Sequence, residues 1–251
     1  MHAAVIRRSG AVLLLLALVP LTHAEPSASP PVLELPWGAS AECAAKIATL
    51  RRSLAEPDAA AYLQAARLHE RGDCVARSES RAVEFLGEAV RLGSTVAARQ
   101  LARRFAFGRG VPQSYANAGA WLSGKGVSDE GLEPWDYSIG YAYAVAAAAL
   151  ESLQFAQAAA EPRAELRLVL EVNAKAPRPP ALRLTGEAAA AAEPLRLRLA
   201  AALDVAASRA LAWLAPTDPK LLVTARVSVP LLLRPTDGGR FELIDDEPVL
   251  R

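Results

Sequence analysis

Shifted against itself by 36 positions, this chain lines up residues 61 to 86 with residues 97 to 122, and no other feature constrains its fold as much. The identical pairs are Ala61/Ala97, Gln64/Gln100, Ala66/Ala102, Arg67/Arg103, Gly72/Gly108, Val75/Val111, Ser78/Ser114, Ala82/Ala118 and Leu86/Leu122, and Phe85 faces Trp121. Nine identities in 26 positions exceed the roughly two or three expected by chance, even in so alanine-rich a chain. The glycines of GRGVPQSYANAGAWL, residues 108 to 122, are therefore punctuation between helices. A phosphate-gripping loop would want a preceding strand and a further glycine, and the residues upstream, QLARRFAF, read as helix.

Each copy reads as a helical hairpin. Helix A of the first runs from about Asp58 to Arg71, Gly72 supplies the left-handed C-terminal residue, and helix B runs from about Ser80 to Leu92. The second copy gives Thr95 to Phe107, Gly108, then Ser114 to about Ser123. Alanines at matched positions let paired helices approach closely, while Phe85, Leu86, Trp121 and Leu122 fill the space between successive pairs. One hairpin cannot bury its apolar face alone, so stacking is required. A helix from Ser40 to about Ala55, with Ile47, Leu50 and Leu54 on one face, precedes the repeat.

Small residues in helix A, then Gly-x-Gly-Val, then Ala-x-x-Trp-Leu: this pattern resembles the Sel-one-like repeat, a bacterial relative of the tetratricopeptide repeat, over residues 58 to about 126. The first copy departs from it with Cys74 where the second has Gly110, and GKGVSDEG stands in place of the usual repeat ending. The resemblance implies an α-helical solenoid that acts as a protein-binding scaffold.

The N-terminus reads as a secretory signal peptide over residues 1 to 24: Arg7 and Arg8, an apolar run from Ala11 to Leu21, and the small-x-small site Thr22-His23-Ala24. An apolar run of eleven residues is too short for a membrane span, which needs about 20. Without Arg7 and Arg8, 26 basic residues stand against 27 acidic ones, a net charge of −1 that argues against nucleic acid or an anionic membrane as main partner. In an oxidising periplasm the chain's two cysteines, Cys43 and Cys74, suit a disulfide better than half a metal site; two buried free thiols are the alternative.

Beyond a loop at residues 124 to 136, a long helix from Tyr137 reads as the cap of the open end of the solenoid. The period then changes. Residues 164 to 172 and 181 to 185 alternate as strands, helix resumes from Leu197 to Leu214, residues 221 to 234 form a long alternating strand, and FELI at 241 to 244 returns after Asp237-Gly238-Gly239. Strand, strand, helix, strand is an α+β module. Its run LDVAASRALAW, residues 203 to 213, and VPLLL, residues 229 to 233, resemble the helix and following strand of the TonB C-terminal domain, a likeness that extends over residues 163 to 244. Leu203, Asp204, Trp213 and Pro230 carry it, while Leu233 replaces the family's Phe and no Asp-Gly turn joins the first two strands. The expected organisation is thus a signal peptide at 1 to 24, an extended leader at 25 to 39, a helical repeat solenoid at 40 to 160 and an α+β TonB C-terminal-like domain at 161 to 251.

No catalytic, cofactor or metal residues are expected. Signal removal leaves His69 as the one histidine, read as a surface or groove residue, and the chain holds no Ser-x-x-Lys or G-x-S-x-G. The acidic Asp245, Asp246 and Glu247 read as solvated. Two partner-binding surfaces are expected instead. Arg99, Arg103 and Arg104 on the second helix A face either a groove or solvent. Thr224, Arg226 and Ser228 point outward from a strand in which Pro230 marks a sheet edge, with Val223, Ala225, Val227, Val229, Leu231 and Leu233 inward. That edge either receives an extended segment of an envelope protein or is already covered by FELI or the leader. The functional expectation is a periplasmic, non-enzymatic adaptor; the alternative is a TonB-type protein assisting energy-coupled transport, although no long Pro-rich spacer is present.

Overall fold

Serine hydroxyls set the beginnings of four helices. Ser40, Ser78, Ser94 and Ser114 each accept the backbone N–H three residues on, at 3.2 Å, opening α1 (Ala41–Leu54), α3 (Glu79–Arg91), α4 (Thr95–Phe107) and α5 (Tyr115–Leu122). Asp58 caps α2 (Ala59–Arg71) through the Ala60 N–H. The computed structural model describes residues 31–126, 133–151, 166–175, 182–185, 193–236, 240–245 and 249–250; the signal peptide, residues 25 to 30 of the leader, Asp246 and Glu247 lie outside them.

The repeat is visible as two hairpins with the same joint. Gly72 and Gly108 end α2 and α4 in the left-handed conformation, at φ 72° and 68°. The Ser78 N–H then donates to the His69 carbonyl at 2.9 Å, and in the second copy the Ser114 N–H donates to the Phe105 carbonyl at 2.8 Å. His69 is therefore a core residue rather than a groove residue: it stacks on Phe85 at 5.4 Å, its Nδ1 lies 3.0 Å from the Ala76 carbonyl, and it is 5% exposed.

The departure at Cys74 has a structural cause. In the second copy Gly110, at φ 75°, packs on the start of α3, and a Cβ there would come 2.5 Å from the Glu79 carbonyl carbon. One period earlier the matching pair is Cys74 and Cys43, and these form a disulfide. Cys74 keeps the left-handed backbone, at φ 61°, and is the one non-glycine residue with positive φ among those described. The bridge thus ties α1 to the first hairpin at the position where Gly110 packs on α3 in the second.

Helix α6 (Pro134–Glu151) closes the end of the repeat and is itself covered by the second half of the chain. It packs on α4 and α5 on one side and on the α+β elements on the other, and from Asp136 to Ala149 every residue is buried. Two glycines allow this. A Cβ on Gly119 would overlap the Asp136 backbone, and one on Gly140 would overlap the Tyr115 carbonyl, so the main chains of α5 and α6 touch.

The second half orders as β1 (Leu166–Asn173), β2 (Leu182–Thr185), α7 (Glu193–Leu211), β3 (Arg226–Thr236), β4 (Arg240–Asp245) and β5 (Val249–Leu250). The antiparallel sheet runs β2-β1-β3-β4, with β5 also on β3. One core of Ala102, Tyr115, Ile139, Val145, Leu170, Val227, Leu203 and Ala210, among others, unites the second hairpin, α6, the sheet and α7; a second, from Leu33 to Leu101, fills the space among α1, the first hairpin and α4. Residues 31 to 251 form a single compact unit.

The expected open edge at residues 222 to 228 is corrected. Residues 222 to 225 precede the strand, because Asp218 caps a 3-10 turn at Pro219–Leu221 and the Ser138 hydroxyl takes the Val223 N–H at 2.8 Å. From Arg226 onward β3 is central, paired with β1 on one side and with β5 and then β4 on the other. Pro230 pairs with Val169 of β1 on one side, and on the other it lies between the pairs Ser228↔Val249 and Leu231↔Asp245, opposite residues 246 to 248, which lie outside the described residues. The return of FELI as a hairpin strand agrees with the reading of the sequence, and Ala225, Val227, Val229 and Leu231 do face the core.

Candidate functional site

The cleft follows from three residues of α4, Gln100, Arg103 and Arg104, which at spacings of three and four share one face of the helix. Between them, Glu70 at the end of α2, Glu79 at the start of α3 and Arg109 in the loop after α4 lies a cavity of about 380 Å³.

Arg104 is its floor. The side chain is 7% exposed and reaches Glu70 at 2.6 Å and Glu79 at 2.5 Å, joining the ends of both helices of the first hairpin to the second. Its Nη1 also donates to the Arg109 carbonyl at 3.3 Å. A guanidinium presents five donors in a planar fork, so one arginine can hold two carboxylates and a carbonyl together. The hydrogen bond from Arg104 holds the Glu79 carboxyl below its ordinary range, against partial burial that pushes it up. Removing Arg104 would leave two acids facing the same cavity.

Arg103 and Arg109 form the rim, and both engage Glu151, the last described residue of α6. Arg103 Nε donates to Glu151 Oε1 at 2.7 Å, and Arg109 Nη2 donates to Oε2 at 3.1 Å. Arg109 is further fixed over the Phe107 ring, 5.1 Å from its centroid, and Phe107 in turn meets Trp213 at 6.1 Å. Trp213 is 61% exposed, so an aromatic shoulder borders the charged rim. Gln100 Oε1 and Arg99 Nε are buried without hydrogen-bond partners among the described residues. The cavity therefore presents guanidiniums, carboxylates and an amide oxygen without a partner among the described residues.

Of the arginines expected to line a groove, Arg103 does so with its charge paired, while Arg104 is a buried strut and not a solvent-facing contact. Arg99 is half-buried beside them. Thr224 and Arg226 are exposed on the far side of the fold's sequence, in and after the bend before β3, and Ser228 is buried in the sheet with its hydroxyl unpartnered. Glu70, Glu79, Arg109 and Glu151 were not expected at the site. Arg109 alone carried a local signal, as the residue held between Gly108 and Gly110.

A second set of polar contacts locks the two halves together. Tyr137 hydroxyl accepts the Asp218 N–H at 2.9 Å and meets Thr217 Oγ1 at 3.1 Å; Tyr115 and Tyr141 hydroxyls donate to the Ala215 and Leu214 carbonyls at 3.4 Å. The three rings pack edge to face, with Tyr115 5.7 Å from Tyr137 and 5.3 Å from Tyr141. Burial pushes the Tyr115 hydroxyl up to about 12 and raises that of Tyr141 as well. Below them, the fully buried Asp136 holds Lys125 at 2.9 Å and accepts the Glu133 N–H at 3.1 Å, closing the first turn of α6. Among the described residues no helix is long and apolar enough to cross a membrane, and no group of three or more His, Cys, Asp or Glu is placed to hold a metal ion.

No protein-family model matches the chain, and no curated protein matches it. Among solved structures, it is similar to the crystal structure of a Sel1 repeat protein from Oxalobacter formigenes, at 20% identity and a TM-score of 0.30, over 41% of this chain. The match spans 39% of that protein's length.

Proposed function

We propose that this chain is an exported, non-enzymatic protein-binding scaffold of the bacterial envelope that receives its partner at the cleft between the two hairpins. The observation that carries the reading is the cleft: about 380 Å³, lined by Glu70, Glu79, Gln100, Arg103, Arg104 and Arg109, with Trp213 exposed beside it. Arginine beside exposed tryptophan is the composition of interface anchors. The disulfide suits an oxidising compartment, and the signal-like residues 1 to 24 supply a route there. The Sel-one-like resemblance at residues 58 to 126 implies the same scaffold role. We divide the chain by task at about residue 160: the helical repeat at 40 to 160 makes the contact, and the α+β part at 161 to 251, with its TonB C-terminal-like helix, buttresses α6. Strand addition at Val227 and Ser228, the route the TonB-type alternative implies, is disfavoured where β1 and β5 flank β3.

The test places a photoreactive residue at Gln100, with Arg52 on the exposed face of α1 as control. A discrete crosslinked partner from position 100 alone is expected in envelope preparations; equal crosslinking at both, or none at either, sinks the reading. N-terminal sequencing of the envelope protein is expected to begin at Glu25.

A further inference from the structure

We propose that Arg103 and Arg109 form a receptor for a carboxylate carried by a partner polypeptide, and that Glu151 is the chain's own occupant of that receptor, displaced on binding. The inference rests on the scaffold reading above and names the chemistry it recognises. It begins with where Glu151 stands, between two guanidiniums: Arg103 reaches Oε1 at 2.5 and 2.7 Å and Arg109 reaches Oε2 at 3.1 Å. Yet the side chains of Arg103, Arg109 and Glu151 are 35%, 49% and 30% exposed, and ion pairs open to water exchange readily.

The receptor is preorganised. Phe107 holds the Arg109 guanidinium from one face, and Arg104 holds the Arg109 carbonyl from within. Arg104 is fully committed to Glu70 and Glu79, so it shapes the floor without competing for a ligand. Behind the rim, Gln100 Oε1 is a buried acceptor with no donor among the described residues, in a cavity large enough to admit one. A group that brings a carboxylate together with an N–H satisfies both features, and a peptide amide beside an acid is that combination. Phe107 and Trp213 give the rest of the segment an apolar face to lie on.

The experiment titrates the purified full chain with N-acetylglutamate α-amide, with N-acetylglycine and with N-acetylglutamine α-amide, following the arginine side-chain Nε–Hε resonances by NMR. The first probe carries a side-chain carboxylate, the second a main-chain terminal one, and the third none. The Arg103 and Arg109 resonances are expected to move with one or both carboxylates, the better probe identifying the source, and to stay fixed with the glutamine derivative. Glu151→Gln and Glu151→Ala, each confirmed folded by circular dichroism, are expected to bind about three- to fivefold more tightly once the internal competitor is gone. Arg109→Ala is expected to abolish the response. Resonances that move equally with the glutamine derivative or with no probe at all, affinity unchanged in both Glu151 variants, or an undiminished response in Arg109→Ala would overturn the inference. Loss of the position-100 crosslink with these titrations intact would instead count against the scaffold reading alone.

Discussion

Replacing Gly140 with alanine tests the claim that α5 and α6 meet backbone to backbone. A methyl at Gly140 overlaps the Tyr115 carbonyl oxygen, lies 2.7 Å from the carbonyl carbon and lies 2.8 Å from the Gly119 nitrogen, all main-chain atoms that no rotamer change can move. Relief requires the helices to separate, which loosens the buried face of α6 from Asp136 to Ala149. Overpacking a filled interior costs about 1–3 kcal/mol, and the upper end applies where the obstacle is backbone. Better helix propensity returns about 1 kcal/mol. The expected net loss is about 2 kcal/mol, or roughly 4–8 °C in Tm for a domain of this size. Gly87→Ala in α3 is the matched control, since a Cβ there meets nothing within 4 Å. It is expected to gain about 0.5–1 kcal/mol from the same propensity change. Urea denaturation of the two variants and the parent gives both signs in one series. A neutral or stabilised Gly140→Ala would refute the backbone contact and with it the central placement of α6.

Opening the Cys43–Cys74 bridge, with its sequence separation of 31, should cost about 3–4 kcal/mol by loop entropy, read as a lower denaturation midpoint under reductant. In a Cys43→Ser background, Cys74→Gly should be about 1 kcal/mol more stable than Cys74→Ala, because the site keeps φ at 61°. Because the folded-state pKa of Glu79 is depressed, first by its hydrogen bond from Arg104, its stabilisation is present above the ordinary carboxylate value and is lost as pH falls through the folded value. Arg104→Ala should be destabilised by about 1–3 kcal/mol at neutral pH, less than a fully buried pair since both acids are about a third exposed, and should show a weaker further loss in acid melts. With Tyr115 raised to about 12, the unfolded chain ionises first, so stability should fall from about pH 10 toward 12; Tyr115→Phe should flatten that alkaline limb in pH-dependent thermal melts.

Period alone determined the hairpins: nine matched positions, the glycines after α2 and α4 and the serines before α3 and α5 are local signals, and each sets a turn or cap within a few residues of itself. Alternation likewise marked β1 and the inward face of β3. Tertiary structure decided what those elements meet. Pro230 read locally as an edge, but its strand has β1 on one side and β5 and β4 on the other, and only the pairing of distant residues shows that. The matched residues Gln64 and Gln100, and Arg67 and Arg103, look alike in sequence; the first of each pair is exposed and the second half-buried at the cleft, because α6 packs beside α4 and brings Glu151 to its rim. Glu151 is 48 residues from Arg103 along the chain, and no periodic pattern spans that distance. Hydrophobic period encodes which face of a helix turns inward, whereas an ion pair between two elements depends on how those elements dock, which is settled by the packing of Gly119, Gly140 and the tyrosines around them.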